Sequence, residues 1–389
     1  MKWLYLILFS LVALVSQMLW LNFAPLISFL ETKYKVDEFT AGLPVMVFPL
    51  VYVLLSINAG AMIDKKGYKK VISFGAIVMS IGSIVRIFDS NFWMLFAGQC
   101  IIAVGQPYII NGISKLVSDW FAEKDAGGAV GIGTAGMFLG MAAGVGATLP
   151  LIDATDFQTM QIIMAVVCVV FSLMFVALVK ENKKQTDGPS SVGGLKDYAL
   201  LLKNKNILVI NILAFLSLGF FNGYFNWSEK IMKEIGINAD QSSMVGTALI
   251  VAGIIGAGIV PLISDKIGKR KIFMVIAAVS ATLISYPLLT SSDYGLLIIL
   301  AAVMGFIFLP GYAILLTCGE EEAGKAKAGA STGLIMLSGN LGGTIVIMVM
   351  EMIKGDGSWK PAIYFCVGIM VLAVIFAFIL KETYKKVKA

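Results

Sequence analysis

Aromatic and carboxamide side chains occur together inside several long apolar stretches, and this combination could bind a small organic cation. The face of an aromatic ring attracts an ammonium group, and a carboxamide oxygen can accept a hydrogen bond from the same ligand. A carboxamide in an apolar environment needs a partner, so each one faces either a wet cavity or a neighbouring helix. The candidate solute-binding residues are Trp20, Asn22, Phe23, Gln106, Tyr108, Asn222, Tyr224, Tyr312 and Asn340.

The residue types of common catalytic and metal sites are missing. The chain has no histidine, and its four cysteines (Cys100, Cys168, Cys318 and Cys366) lie in apolar runs without metal-ligand spacing. These cysteines are predicted to be free and buried. Because no nucleophile and base are suitably placed, we expect no enzyme activity, no metal and no cofactor.

The composition indicates that lipid surrounds most of the chain. Of 389 residues, 58% are apolar and 14% are charged, and the mean hydropathy is +0.89. A soluble domain has about 45–50% apolar and about 25% charged residues. This balance excludes a soluble enzyme, a disordered regulator, a secreted disulfide scaffold and a free nucleic-acid binder.

Twelve apolar stretches are long enough to cross a bilayer as helices, which takes about 20 residues each. The first stretch continues to Leu30, well beyond the core of about 7–15 residues found in a signal peptide, so it is predicted to be a span. The predicted spans are residues 3–30, 40–63, 71–88, 92–117, 127–152, 157–179, 206–228, 241–264, 272–290, 294–317, 329–352 and 359–380.

The lysine and arginine residues predict the orientation of these spans. Of the 30 basic residues, 23 fall on one side, six fall on the other, and Arg86 lies near a helix end. The positive-inside rule then places both termini in the cytoplasm of a cell that carries the protein in its plasma or inner membrane. The net charge of +6 is therefore a topogenic signal, and no nucleic-acid partner is expected.

The only long polar stretch separates two groups of six spans. We predict a first six-helix bundle at residues 1–180, a cytoplasmic linker at 181–205 and a second bundle at 206–389. A loop motif recurs in both halves: Asp64 and Gly67 follow the second span, Asp265 and Gly268 follow the eighth, and basic residues come next. Each Asp ends a helix, and each Gly permits a tight turn. Two parallel six-helix halves are typical of rocker-type transporters.

Through these two loops the chain resembles the major facilitator superfamily along its whole length. The resemblance implies an all-α integral membrane protein in which twelve transmembrane helices form two six-helix bundles around a central cavity. It also implies that Asp64, Gly67, Asp265 and Gly268 take part in gating, through contacts with the opposite half. The alternative is that the four residues are only topogenic turns.

Charged residues are expected near the helix ends rather than at the middle of the membrane. Glu31, Arg86, Lys115, Asp153, Glu229 and Glu351 all have such positions. Without a central carboxylate or a histidine, an obvious proton relay is missing, and a fixed arginine clamp for anions is not expected. Glycines spaced four apart (Gly136, Gly140 and Gly144 in the fifth span, Gly339 and Gly343 in the eleventh) predict close helix packing, either static or sliding.

A closer resemblance involves the segment Trp20-Leu-Asn-Phe, the segment Gly98-Gln99-Cys100 with Gln106, and Ser118-Asp-Trp120-Phe121. These segments look like the feline leukaemia virus subgroup C receptor-related transporters, which are associated with choline and ethanolamine transport and, historically, with haem export. Trp20, Gln106 and Asn340 match that family's first-helix Trp, fourth-helix Gln and eleventh-helix amide. The family's seventh-helix Tyr falls at Asn222, with Tyr224 two positions later.

These observations predict a facilitator that moves a small organic solute, choline-like or another amine, by alternating access. Two alternatives remain: a proton-coupled exporter of drugs or metabolites, and a membrane sensor without transport. Haem is disfavoured because the chain has no histidine ligand. The expected partners are a small-molecule solute and the lipid bilayer, and the expected state is a monomer.

Overall fold

The computed structural model describes residues 1–182, 195–324, 327–354 and 357–384, and every regular element in these ranges is helical. Helices suit a lipid environment because they satisfy backbone N–H and C=O groups within one segment. Twelve helical segments in these ranges have the length and hydropathy to cross a membrane, which confirms the predicted number of spans.

The chain divides into two compact units, Met1–Val192 and Gly193–Ala389. Part of the predicted linker, residues 183–194, lies outside the described residues, and a short helix, Leu195–Leu201, precedes the first span of the second unit. Spans 1 to 6 are Lys2–Tyr34, Glu38–Lys66, Tyr68–Val85, Phe92–Trp120, Gly128–Ala154 and Phe157–Leu178. Spans 7 to 12 are Lys205–Glu234, Ala239–Ile267, Lys271–Thr290, Tyr294–Ala323, Ala328–Lys354 and Lys360–Ile379.

Side chains of Asp and Asn begin several of these helices. Each accepts a hydrogen bond from a backbone N–H of the first turn, which would otherwise have no partner. Asp37 accepts from Thr40 N at 2.9 Å, and Asn238 forms a reciprocal capping box with Gln241. Asn91, Asp156, Asn204 and Asp293 cap other spans in the same way.

Spans 1 and 4 are interrupted helices. Span 1 consists of helix Lys2–Leu21, a 3-10 turn at Ala24–Leu26 and helix Ile27–Tyr34. Pro25 lies in that turn and has no N–H to continue the helix. Span 4 consists of Phe92–Ile110 and Gly112–Trp120. Such interruptions leave backbone carbonyls free to accept hydrogen bonds from side chains of neighbouring spans.

The glycines of span 5 lie directly against the backbone of span 1. A Cβ atom added at Gly136 would come within 2.7 Å of Ser10 O, and one at Gly144 within 2.6 Å of Met18 O. Gly140 meets the backbone of Leu14 in the same way. In the second unit, Gly339 and Gly343 of span 11 contact the side chains of Leu218 and Asn222 in span 7. The predicted close packing is therefore confirmed, while sliding of these helices stays a prediction.

Gly140→Ala should destabilise the protein because the added methyl group meets the Leu14 backbone, which cannot move aside. Overpacking of this kind costs about 1–3 kcal/mol. Gly131→Ala is the matched control, since it lies on the same helix and a Cβ there meets nothing within 4 Å. Thermal unfolding of the detergent-purified protein should show a lower transition temperature for Gly140→Ala only. Equal transition temperatures would contradict the tight contact.

Candidate solute-binding site

Trp20 lies at the end of the first helix of span 1 and has one fixed orientation. Its side chain is 7% exposed, its Nε1 donates to Val45 O at 3.1 Å, and its ring stacks on Phe48 with centroids 6.2 Å apart. Val45 O can accept this bond because residue 49, which would donate to it within the helix, is a proline without an N–H. Pro49 thus creates the acceptor that holds the indole.

A buried arginine lies beside the next turn of span 1, and this corrects the expectation that Arg86 is only a charge near a helix end. Arg86 follows the last residue of span 3, but its side chain is fully buried. Its Nη1 donates to Gln99 Oε1 at 2.9 Å and to Asn22 Oδ1 at 3.3 Å, and its guanidinium lies 5.0 Å from the ring centre of Phe23. Sequence reasoning missed this cluster because its members are far apart in the chain.

The cluster accounts for two of the predicted solute-binding residues. Asn22 and Phe23 are both fully buried and are engaged with Arg86, and Asn22 Nδ2 also lies 3.5 Å from Met164 Sδ. Their side chains therefore have protein partners in the first unit. Direct contact of these two residues with a solute stays a prediction.

Span 4 contributes one satisfied and one unsatisfied side chain. Tyr108 is buried, and its hydroxyl donates to Asn58 Oδ1 at 3.0 Å. Gln106 is also buried, but within the described part of the chain its Nε2 has no hydrogen-bond partner. Such a donor costs about 1–3 kcal/mol when it stays unpaired, so Gln106 is suited to bind a polar group of a ligand.

Span 7 carries further unsatisfied polar groups. Asn222 Nδ2 and the hydroxyl of Tyr224 are buried, and neither has a hydrogen-bond partner among the residues that the structure describes. Asn222 lies against Gly343 of span 11, where an added Cβ would come within 3.0 Å of Asn222 Cγ. Tyr224 instead packs edge-on against Phe225, with ring centres 5.0 Å apart.

Tyr312 and Asn340 lie together around one turn of span 11. The Tyr312 hydroxyl is 3.5 Å from Met336 Sδ, and Asn340 Nδ2 donates to Met336 O at 2.9 Å. Both side chains are half-buried. Asn222 of span 7 contacts Gly343, which lies one turn after Asn340 in span 11. Asn222 and Tyr312 therefore both lie against the stretch of span 11 that carries Asn340.

A hydrogen bond joins the residues after span 2 to Glu181, which follows span 6. Gly67 has φ +84°, a conformation that L side chains rarely adopt, and a Cβ added there would meet the Glu181 carboxylate. Glu181 Oε2 accepts from the backbone N–H of Lys69 at 3.1 Å. Burial raises the pKa of Glu181, and the Lys69 N–H partly opposes this rise. Asp64 is partly exposed.

The loop after span 8 has the same design with more charges. Gly268 has φ +70°, and Glu382 accepts from the backbone N–H groups of Arg270 and Lys271 at 2.8 and 3.2 Å. The Arg270 side chain pairs with Asp265 at 2.6 Å and with Glu321 at 2.9 Å. Burial alone would lower the pKa of Arg270, but its hydrogen bonds to these two carboxylates raise it above the ordinary value.

The two carboxylates that cap these loops were missed by the sequence analysis. In each unit the Glu lies 112 residues after the first amide that it accepts from, Lys69 in one case and Arg270 in the other. The repeated pairs Lys180-Glu181 and Lys381-Glu382 after spans 6 and 12 were the available signal. The internal repeat therefore extends beyond the Asp and Gly motif to the carboxylate that holds each loop.

The twelve spans in two units and the repeated loops define a polytopic secondary transporter. The chain belongs to the Major Facilitator Superfamily, whose family model matches residues 9–347 and, in a second match, residues 229–389.

Comparison with curated proteins finds two relatives that align over nearly the whole chain and one that aligns over about half of it. A choline/ethanolamine transporter flvcr2a from Danio rerio is 23% identical over 100% of this chain and 88% of its own length. The choline/ethanolamine transporter FLVCR2 from Homo sapiens is 24% identical over 97% of this chain and 77% of its own length. An uncharacterized protein from Archaeoglobus fulgidus is 27% identical over 48% of this chain and 85% of its own length.

Glu181→Ala should release the first turn of span 3, because the Lys69 amide loses a charged acceptor. Hydrogen–deuterium exchange at Lys69 should accelerate about tenfold or more, as expected for a hydrogen bond to a charged group. Glu181→Gln keeps an acceptor oxygen and should change the rate much less. The amides of Arg270 and Lys271 serve as an internal reference, and they should respond to Glu382→Ala instead. Unchanged exchange at Lys69 in Glu181→Ala would contradict the capping contact.

Proposed function

We propose that this protein moves a small ammonium solute across the membrane by alternating access, with choline as the first candidate and ethanolamine as the second. Two of the relatives above carry the name choline/ethanolamine transporter, and they align over nearly the whole chain. The proposed solute-binding residues are Trp20, Gln106, Asn222, Tyr224, Tyr312 and Asn340, together with Asn22, Phe23 and Tyr108.

The observation that carries this proposal is the fixed indole of Trp20. Its N–H already donates to Val45 O, so a solute would contact the aromatic surface of the ring and not the N–H group. A quaternary ammonium has no N–H to donate and is recognised through the face of an aromatic ring. Every proposed solute-binding residue is uncharged, which suits a cation held by cation–π contact and dipoles.

The unsatisfied donors support a solute that also carries an oxygen. Gln106 Nε2, Asn222 Nδ2 and the Tyr224 hydroxyl are buried without partners in the described residues. A hydroxyl group such as that of choline or ethanolamine could accept from one of them and remove its desolvation cost. This favours a hydroxylated amine over a bare alkylammonium ion.

The loops after spans 2 and 8 are proposed to gate the pathway. Asp64, Gly67, Asp265 and Gly268 lie at the ends of helices that are fastened to Glu181 and Glu382, so a movement of span 6 or 12 would be transmitted to them. We also propose that the protein is a monomer in the plasma or inner membrane, with both termini in the cytoplasm, as the distribution of its basic residues suggests.

A proton-coupled exporter is the second candidate, and one observation favours it. Glu229 in span 7 is only 2% exposed, so a carboxylate is buried within a span after all. Buried carboxylates in membrane transporters are frequent proton carriers. A pH gradient imposed across proteoliposomes separates the two candidates, since only the exporter would be driven by it.

Trp20→Ala should abolish choline binding without unfolding the protein, because it removes the aromatic face and the bond to Val45 O. Wild-type protein in detergent should gain thermal stability with choline by mass action, and Trp20→Ala should show no such gain. Trp93→Ala is the matched control, since Trp93 is 61% exposed and should keep the response. Normal choline uptake by Trp20→Ala in proteoliposomes would refute the site. A wild type that responds to neither choline nor ethanolamine would refute the solute class.

Pro49→Ala should weaken choline binding because the new backbone N–H competes with the Trp20 indole for Val45 O. A neutral hydrogen bond contributes about 0.5–1.5 kcal/mol, so the KM for choline should rise about three- to tenfold. Pro150→Ala is the control: it lies inside the helix of span 5, is exposed, and should leave KM unchanged. An unchanged KM in Pro49→Ala would show that the indole does not depend on this acceptor.

A further inference from the structure

The buried guanidinium of Arg86 has an unusual set of partners. It contacts the neutral oxygens of Gln99 and Asn22, the Phe23 ring and the Met164 sulfur. Within the described residues no carboxylate lies within 4.0 Å of it, and its Nε has no hydrogen-bond partner. A buried charge without a counter-ion is costly, so a structural ion pair cannot be the reason for its position.

The contact with Gln99 fixes which way that carboxamide points. Gln99 Oε1 must face Arg86, since the guanidinium can only donate. The Gln99 Nε2 is thereby turned towards span 1 and donates to Leu19 O at 2.8 Å and to Pro44 O in span 2 at 3.3 Å. Arg86 thus determines a hydrogen bond to the residue directly before Trp20.

The contact with Asn22 acts on the other side of Trp20. Asn22 is the first residue after helix Lys2–Leu21, at the point where span 1 breaks. Its Oδ1 accepts from the same Nη1 that donates to Gln99. One guanidinium therefore contacts the Asn22 side chain directly and the Leu19 carbonyl through Gln99, and Trp20 lies between residues 19 and 22 in the chain.

We propose that Arg86 is a positioning residue for Trp20: through Gln99 and Asn22 it sets the break in span 1 at which the indole presents its face to the solute. This inference rests on the proposed function, because it gives Trp20 its role as the ammonium-binding residue. Arg86 does not contact the solute in this proposal. The guanidinium is suited to this role because it holds the two N–H groups of Nη1 in one fixed plane towards the two amide oxygens while it packs on the Phe23 ring.

Arg86→Lys tests the proposal because it keeps the charge and loses the planar fork. The KM for choline uptake should rise about tenfold and the thermal transition should fall, because buried polar groups lose partners, while Vmax stays close to that of the wild type. Thr148→Val is the matched control: Thr148 is a fully buried polar residue of the same unit whose hydroxyl donates to Gly144 O, and removal of this hydroxyl should leave KM unchanged. In the double mutant Arg86→Lys/Trp20→Phe, the KM for choline should rise by less than the product of the two single-mutant increases, since both substitutions act through the indole.

A second measurement does not depend on choline. In protein labelled with 5-fluorotryptophan, the 19F resonance of Trp20 can be assigned by its disappearance in Trp20→Phe. Arg86→Lys should shift or broaden this resonance and leave that of Trp227 in the second unit unchanged. An unshifted Trp20 resonance together with an unchanged KM would overturn the positioning role, even if choline is the solute. A shifted resonance in a protein that binds no choline would support the positioning role and refute only the proposed function.

Discussion

One buried arginine, together with the Gln99 that it contacts, links five spans of the first unit. Arg86 reaches Asn22 in span 1 and Gln99 in span 4 with its side chain, while its backbone O accepts from Gln161 in span 6 at 3.0 Å. Gln99 then passes the connection to Pro44 O in span 2. In an apolar environment each of these groups must find a partner, so the positions of the helices are mutually constrained. The proposed positioning of Trp20 depends on this constraint, together with the break at Pro25 and the acceptor that Pro49 releases.

Backbone carbonyls released from helices serve as the acceptors that orient side chains. Pro49 releases Val45 O, which binds the Trp20 indole, and the break after Leu21 leaves Leu19 O for Gln99. An intact helix would use both carbonyls internally. In this protein the irregular positions of spans 1 and 2 are therefore the positions at which specific polar contacts become possible, as expected for membrane helices that form a binding site.

The loops after spans 2 and 8 show how one design serves two halves with different chemistry. Both halves have a glycine with positive φ and a glutamate that caps the following helix. The first half adds an aromatic hydrogen bond from Trp120 to Tyr68, whereas the second half adds the ion pairs of Arg270. The Arg270 side chain is only 6% exposed, so salt should screen its ion pairs less than it screens pairs on an open surface. The two loops thus share a glycine with positive φ and a carboxylate acceptor, but they differ in ψ at that glycine (157° at Gly67 and 39° at Gly268) and in the charges around it.

The sequence by itself determined the membrane environment, the twelve spans, the two halves and the repeated loop motif, because hydropathy, basic residues and glycine spacing act over short stretches of chain. The same reasoning identified Trp20, Gln106, Asn222 and Tyr224 as candidate solute-binding residues, because they are polar or aromatic groups inside apolar spans. Only the tertiary structure decided that Asn22 and Phe23 pack on a buried Arg86, and that Glu181 and Glu382 cap the loops. These contacts join residues 63 to 112 positions apart, and no local pattern encodes which distant partner satisfies a buried polar group.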